Sequence, residues 1–347
     1  MMRKIRVLIV DDSLLFRKTL ETHLNADSHI EVVGTAVDSF DAMDKILSLQ
    51  PDVVTLDVEM PKVNGIEFLK ELMPTRPVPV VVVSSLPINA FEALDAGAVD
   101  FVKKPVVKSP SDMQYFINQL LIKVKIASTA RVGNKPVVPR VSTVAPANLA
   151  MTASCDNMVI AIGASTGGTE AILSVIRDLP PTTPGIVVVQ HMPAGFTQMY
   201  AQRLDKLCKM RVKEAQPGDR VEQGQVIIAA GEYHLRLARD ARGYYVKSEQ
   251  GPKVTGHCPS VDVLFESVAE TAGKNAVGII LTGMGADGAK SLLKMKKEGA
   301  FTIAQDKDSC VVYGMPMVAF NVGAVVKQLP LDKIPDELIR YLNTKKA

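Results

Sequence analysis

The sequence predicts an α/β protein with two parallel-sheet domains, and three observations carry that expectation. Short Val- and Ile-rich runs alternate with amphipathic stretches in the first third of the chain and again after residue 157. Strands alternating with helices imply βαβ units and a parallel sheet covered on both faces. Between these parts, 126–156 is rich in Ala, Ser, Thr, Pro and Val, keeps no period and holds Pro136, Pro139 and Pro146, as a linker does. The chain's 347 residues suit two domains of about 100–200 residues each. The expected organisation is a first domain over 1–125, a linker over 126–156 and a second domain over 157–347.

In the first domain, Arg6–Val10 reads as a buried strand, its apolar residues Val7–Val10 ending at an Asp pair. Leu14–Leu24 has helical spacing. Glu31–Ala36 is a strand, and Asp38–Ser48 a helix that Asp38 or Ser39 can cap. Val53–Leu56 is a strand that stops at Asp57. Val78–Val83 is bounded by Pro77 and Ser84, and Val99–Val102 is a short strand. Met113–Ile126 closes the domain as a helix.

The second domain resumes with strand Met158–Gly163, helix Gly168–Leu179, strand Ile186–Gln190 and helix Met199–Leu207. Then Val221–Ala230, His234–Ala238 and Tyr244–Ser248 alternate in short segments broken by Gly and Asp, which suggests inserted antiparallel hairpins. Val261–Ala272 is helical. Val277–Leu281, Phe301–Ala304 and Ala324–Val326 are strands around a helix over Gly288–Lys297.

Composition narrows the function. With 47% hydrophobic and 22% charged residues, wholesale disorder is excluded. A net charge of +3, from 40 basic and 37 acidic residues, argues against a dedicated nucleic-acid surface. No apolar run approaches the ~18 residues of a membrane span. The opening apolar run is broken by Arg6 and stops at Asp11, so it reads as a strand and not as a signal peptide. Cys155, Cys208, Cys258 and Cys310 are scattered with no CxxC, as free thiols in a reducing cytoplasm are.

Open parallel sheets bind ligands beyond the carboxyl ends of their strands. Asp11 and Asp12 follow the first strand, Asp57 the third, Ser84 the fourth and Lys104 the fifth, so all five should meet in one crevice. Three carboxylates together are costly without a cation. A hard oxygen cluster suits Mg²⁺, which also bridges to phosphate. The chemistry this assembles is phosphoryl transfer to a carboxylate.

The motifs LIVDDS, TLDVEMPKVNG, VVVSS and GAVDFVKKP resemble those of the response-regulator receiver family, over about residues 3–125. The resemblance implies a flavodoxin-like doubly wound sheet with Asp57 as phosphoacceptor. It implies Asp12, Asp57 and the Glu59 backbone as direct Mg²⁺ ligands, with Asp11 acting through water. It further implies Ser84 and Lys104 on the phosphoryl group and Phe101 as the switch aromatic. In one departure, the helix between Ser84 and Lys104 looks short for the family.

In the second domain, Gly163-Ala164-Ser165-Thr166-Gly167 matches G-x-S-x-G at a strand-to-helix junction, where a sharp turn exposes a nucleophilic serine. A Gly-rich turn or anion-binding loop is the plainer reading of that motif alone. Among five histidines, His23 and His29 lie on or just after the first helix and read as solvent-exposed. His191 directly follows IVVVQ, so it shares a sheet end with Ser165. Asp287, after VGIILTG, can supply the orienting carboxylate. The order Ser, His, Asp differs from that of α/β hydrolases, where His comes last.

Two other chemistries compete. Cys258 beside His257 could be a thiol nucleophile, although neighbouring side chains diverge in extended chain. Gly283-Met284-Gly285-Ala286-Asp287-Gly288 is a formal GxGxxG with Asp306 beyond it, a weak dinucleotide signature this late in the chain.

VIAIGASTGGTEAI, VVVQHMPAGFT, HCPSVDVLF, VGIILTGMGADGA and SCVVYGMP, behind a receiver and a linker, resemble the CheB family of chemotaxis methylesterases. The resemblance covers essentially the whole chain and implies a Rossmann-like catalytic domain with a β-hairpin insertion. It implies Ser165 as nucleophile, His191 as general base and acid, Asp287 as orienting acid, and Thr166 and Met284 as oxyanion neighbours. The implied reactions are hydrolysis of glutamate γ-methyl esters and deamidation of particular glutamines on chemoreceptors, with no cofactor for the esterase step. A CheA-type histidine kinase is the implied phosphodonor, and Asp57 phosphorylation is expected to relieve inhibition by the receiver. Cys258 stands where the family is expected to have Arg. The competing class is a receiver joined to a non-enzymatic or nucleotide-binding output. A DNA-binding output would need a helix-turn-helix or a basic stripe after the linker, and the α/β motifs there oppose it.

Overall fold

Every residue of Val53–Asp57 and Val80–Ser84 is buried, as strands covered on both faces require. The computed structural model describes residues 3–60, 64–106, 109–132 and 157–345. The chain divides into two compact units after Pro136. From residue 133 onward the expected linker, with Cys155, lies outside the described residues; the closing helix expected to end at Ile126 runs one residue further, to Ala127.

The first unit runs β1 (Ile5–Val10), α1 (Leu14–Asn25), β2 (Ile30–Ala36), α2 (Ser39–Leu49), β3 (Val53–Asp57), α3 (Gly65–Thr75), β4 (Val80–Ser84), α4 (Pro87–Asp95), β5 (Asp100–Lys103) and α5 (Pro110–Ala127). Its five strands form a parallel sheet in the order β2-β1-β3-β4-β5. The order reverses between β1 and β3, which opens a crevice at their carboxyl ends. Asp38 caps α2 by accepting from the Phe40 and Asp41 amides, as its position before the apolar period suggested. Helix α3, capped by Asn64, was not read from the sequence. Helix α4 has nine residues, in keeping with the short stretch between Ser84 and Lys104.

The second unit runs β6 (Val159–Ala164), α6 (Gly168–Ile176), β7 (Ile186–Gln190), α7 (Phe196–Leu207), β8 (Arg211–Glu214), β9 (Gln225–Ile228), β10 (His234–Asp240), β11 (Gly243–Glu249), α8 (Val261–Ala272), β12 (Ala276–Ile280), α9 (Ala289–Lys297), β13 (Phe301–Gln305), α10 (Met315–Asn321), β14 (Lys327–Leu329) and α11 (Ile334–Thr344). Seven strands form a parallel sheet in the order β14-β13-β12-β6-β7-β9-β8. The chain winds outward from β6 in both directions, so β6, flanked by β12 and β7, is the switch point.

Two readings of this unit are corrected. Val221–Ala230 is not part of an antiparallel hairpin: its central β9 pairs parallel with β7 and β8. Only β10 and β11 form the inserted hairpin. The strand expected at Ala324–Val326 lies at Lys327–Leu329, and β8, α10 and α11 were not read. Between the sheet and α8, buried Val261, Leu264, Phe265 and Val268 pack with Val159, Ala161 and Ile280, which fixes α8 over the switch point.

Candidate active site

In the first unit the expected acids come together. Asp11, Asp12 and Asp57 place carboxylate oxygens within 4.8 Å of one another. Lys104 Nζ donates to Asp57 Oδ2 at 2.6 Å and to Asp11 Oδ2 at 3.1 Å. Burial, then repulsion from Asp57, pushes the Asp11 carboxyl up to about 6, against the pull of Lys104. Burial works to lower the Lys104 ammonium, but Asp57 and Asp11 outweigh it and hold it above its usual value.

Ser84 is buried at the end of β4 but does not bond to Asp57. Its hydroxyl donates to Glu59 Oε1 at 3.1 Å and to the Leu86 carbonyl at 3.0 Å. Glu59 also accepts from the Ser85 amide and hydroxyl, and its own amide donates to Asp57 Oδ1. Phe101 is buried with its ring edge-on to Phe91 at 6.1 Å.

In the second unit Ser165 follows β6, His191 follows β7 and Asp287 lies beyond β12, at three adjacent strand ends. The His191 side chain is 6% exposed, and its Nε2 lies 2.8 Å from Asp287 Oδ2. An ionised carboxylate only accepts, so Nε2 carries a proton, and in the neutral ring the lone pair is then on Nδ1. Nδ1 is buried without a partner. Burial works to raise the Asp287 carboxyl, but the bond and charge of His191, the Asp262 amide and Ser260 hold it below its usual value.

Ser165 is not exposed by its turn: it is 7% exposed. The left-handed residue of the turn is Gly167, at φ 75°, and a Cβ there would meet Val311 at 2.7 Å. The Ser165 amide donates to the Thr282 carbonyl. A Cβ on Gly283 would fall 2.7 Å from Ser165 Cβ and 2.5 Å from Met315 Sδ. Glycine therefore lets the loop after β12 close over the serine, bringing the backbone leading into Met284 beside it. Thr166 is buried and Met284 half exposed.

Five residues around the site were not anticipated as partners. Ser260 Oγ and the Val261 and Asp262 amides all donate to Asp287, at 2.8, 2.8 and 2.9 Å, so the carboxylate sits on the N-terminus of α8. Gln190 Nε2 donates to the Ser165 carbonyl at 2.9 Å and to the His191 carbonyl at 3.3 Å, bridging the two turns. His257 stacks on His191 with ring centroids 3.6 Å apart and planes at 9°. The motif HCPSVDVLF was the signal for Ser260 and His257, but not for what they touch.

The competing chemistries find less support. Burial and Glu232 push the Cys258 thiol up, away from the thiolate a nucleophile needs. Asp306 is occupied in a turn, accepting from the amide and hydroxyl of Ser309, and the Gly283–Gly288 loop is filled by Ser165 and Met315. His234 is buried, and its Nε2 donates to the Pro252 carbonyl at 2.9 Å. His29 is exposed beside Asp27, whereas His23 is half-buried with Nδ1 on the Thr19 carbonyl.

The family model for CheB methylesterase matches residues 160–338, and that for the response regulator receiver domain residues 7–114. A protein-glutamate methylesterase/protein-glutamine glutaminase of Syntrophomonas wolfei is 55% identical, covering 99% of each chain. One from Syntrophotalea carbinolica is 49% identical over the whole of both. The solved CheB methylesterase catalytic domain of Thermotoga maritima is 40% identical, with a TM-score of 0.52, covering 53% of this chain and 98% of that one. Among the described residues no helix is long and apolar enough to cross a membrane. A receiver sheet with its acids at the β1/β3 crevice, followed by this second unit and matched end to end by such relatives, places the chain in the CheB family of protein-glutamate methylesterase/protein-glutamine glutaminases.

Proposed function

We propose that the chain is a phosphorylation-controlled serine esterase. Its substrates are glutamate γ-methyl esters, and particular glutamine amides, on cytoplasmic helices of chemoreceptors. The observation that carries this reading is His191, bonded to Asp287 through Nε2 with Nδ1 unpartnered, at the strand end next to that of Ser165.

Nδ1 takes the Ser165 proton as Oγ attacks the γ-carbonyl carbon. Asp287 keeps Nε2 protonated and stabilises the imidazolium. The Thr166 and Met284 amides face the developing oxyanion. The tetrahedral intermediate expels methanol, which leaves with the proton from His191, and an acyl-serine remains. Water, deprotonated by His191, then releases glutamate and restores Ser165. With a glutamine the leaving group is ammonia, so one triad serves both reactions.

In the first unit the carboxylate spacing fits Mg²⁺, held by Asp12, Asp57 and the Glu59 backbone, with Asp11 through water. Bound there, the cation would supply positive charge to offset the acids and the incoming phosphoryl group. Asp57 accepts that group from a CheA-type histidine kinase, Lys104 and Ser84 take its oxygens, and Phe101 repacks as Ser84 moves. This favours an arrangement in which the catalytic cleft is open.

Methanol release from methylated receptor membranes tests the reading. Ser165→Ala is expected to abolish it, along with labelling by a serine-directed probe, and retained turnover overturns the assignment. Phosphorylation is expected to raise the rate, and Asp57→Ala to hold it at the basal level. A fragment lacking residues 1–132 should match the phosphorylated chain. If it is no faster than the unphosphorylated one, the receiver does not act by inhibition.

A further inference from the structure

We propose that His257 is a positioning residue of the esterase reaction: its ring, stacked face to face on His191, fixes the plane in which His191 bonds Asp287 and offers Nδ1 to Ser165. The proposal rests on the serine-esterase reading above. A single hydrogen bond from Nε2 to Asp287 holds one ring atom, and the imidazole can still swing about its bond to Cβ. A parallel ring 3.6 Å away, at 9°, closes one face and removes that freedom. Nδ1 has no hydrogen-bond partner among the described residues, so no second polar contact fixes the ring plane there.

The backbone is built to hold the His257 ring there. Val254 and His257 exchange both backbone hydrogen bonds, at 3.0 Å each. The two residues between them are left-handed, Thr255 at φ 51° and Gly256 at φ 85°. This is the geometry of a tight hairpin turn, and it is maintained although Thr255 is a β-branched residue for which that φ is strained. Thr255 Oγ1 donates to Asp262 Oδ2 at 3.0 Å, tying the turn to the first residues of α8. The same residues give Asp287 the Ser260, Val261 and Asp262 donors. One segment, 254–262, therefore sets the position of the acid from its end and the plane of the base from its start.

Two variants separate stacking from chemistry. His257→Phe keeps an aromatic face and loses both ring nitrogens, while His257→Ala loses the face. In the full chain we expect His257→Ala to lower kcat between about tenfold and a hundredfold, with KM within about twofold and the thermal midpoint unchanged. His257→Phe should recover most of the loss. Imidazole ¹H–¹⁵N spectra provide a readout independent of turnover: His191 should show one tautomer, protonated at Nε2, in the wild type and His257→Phe, and a mixture in His257→Ala. Wild-type kcat and an unmixed tautomer in His257→Ala overturn the proposal. So do equal losses in both variants, which would give the His257 nitrogens a chemical part. Ser165→Ala, assayed alongside, reports on the reading beneath it: residual turnover there sinks the serine mechanism, while the spectra still decide whether His257 orients His191.

Discussion

Asp287 receives His191 Nε2 and the Val261 amide on Oδ2, and Ser260 Oγ and the Asp262 amide on Oδ1. All four positions are donors, so the group at 287 must accept at both ends. A carboxylate can do this and an amide cannot.

Asp287→Asn is therefore expected to fail in two ways. Its NH₂ meets donors at whichever end it takes, costing about 1–3 kcal/mol of stability, and His191 loses its fixed tautomer, lowering kcat by about 10³–10⁴. The native carboxyl lies below its usual value, so its contribution is full above about pH 4 and is lost as pH falls through its own lower pKa. Chemical denaturation of both proteins at several pH values checks this. The stability gap should hold from pH 7 to 5 and close only in stronger acid.

Gly283→Ala tests the approach of the loop after β12 to the serine. The new methyl would collide with Met315 Sδ and Ser165 Cβ, pushing the Met284 amide away from the oxyanion-binding position proposed for it. Loss of one such donor costs about 10²–10³ in kcat. Steady-state kinetics should show this with the thermal midpoint lowered by only a few degrees.

Asp11, raised to about 6 by burial and Asp57, runs in the opposite sense to Asp287. Between about pH 4 and 6 the folded first unit holds a proton that the unfolded chain has released. Its stability in metal-free buffer should therefore decline as pH rises across that window. Asp11→Asn should flatten this slope. Mg²⁺ competes with the same proton, so it should stabilise the wild type more at pH 7.5 than at pH 5, as thermal melts with and without the cation would show.

Glu59 gathers Ser84 and Ser85 onto one carboxylate. Glu59→Ala should release the Ser85 amide to faster hydrogen exchange and cost about 0.5–1.5 kcal/mol in stability. Unchanged exchange at Ser85 would show that the bond does not hold the loop.

The residues beyond strand ends were legible because a parallel sheet delivers them there whatever the loops do. Asp57, Ser165 and His191 needed only the strand to be found. Contacts made by loops were not legible: that Ser260 points at Asp287, or that His257 lies on His191, depends on α8 packing over β6. Val221–Ala230 misled because apolar alternation does not show whether a strand pairs parallel or antiparallel with its neighbours. Helix α3 was legible: Ile66, Leu69 and Leu72 keep the helical period and are buried. β14, half-buried at the sheet edge, carries little hydrophobic signal, so the strand was placed on the apolar residues just before it.

Helix α8 borrows its cap. Its own Ser260 makes no capping bond to the helix and turns to Asp287 instead, which satisfies the first two amides from 26 and 25 residues along the chain. On the proposed mechanism the acid at 287 would thus be under two separate selections, one for turnover and one for foldability. A descendant gene that drifted out of enzymatic use could lose Ser165 at little cost, yet would be expected to keep Asp287 long afterwards. Persistence of that aspartate in a lineage is therefore weak testimony to activity, and the serine is the better witness.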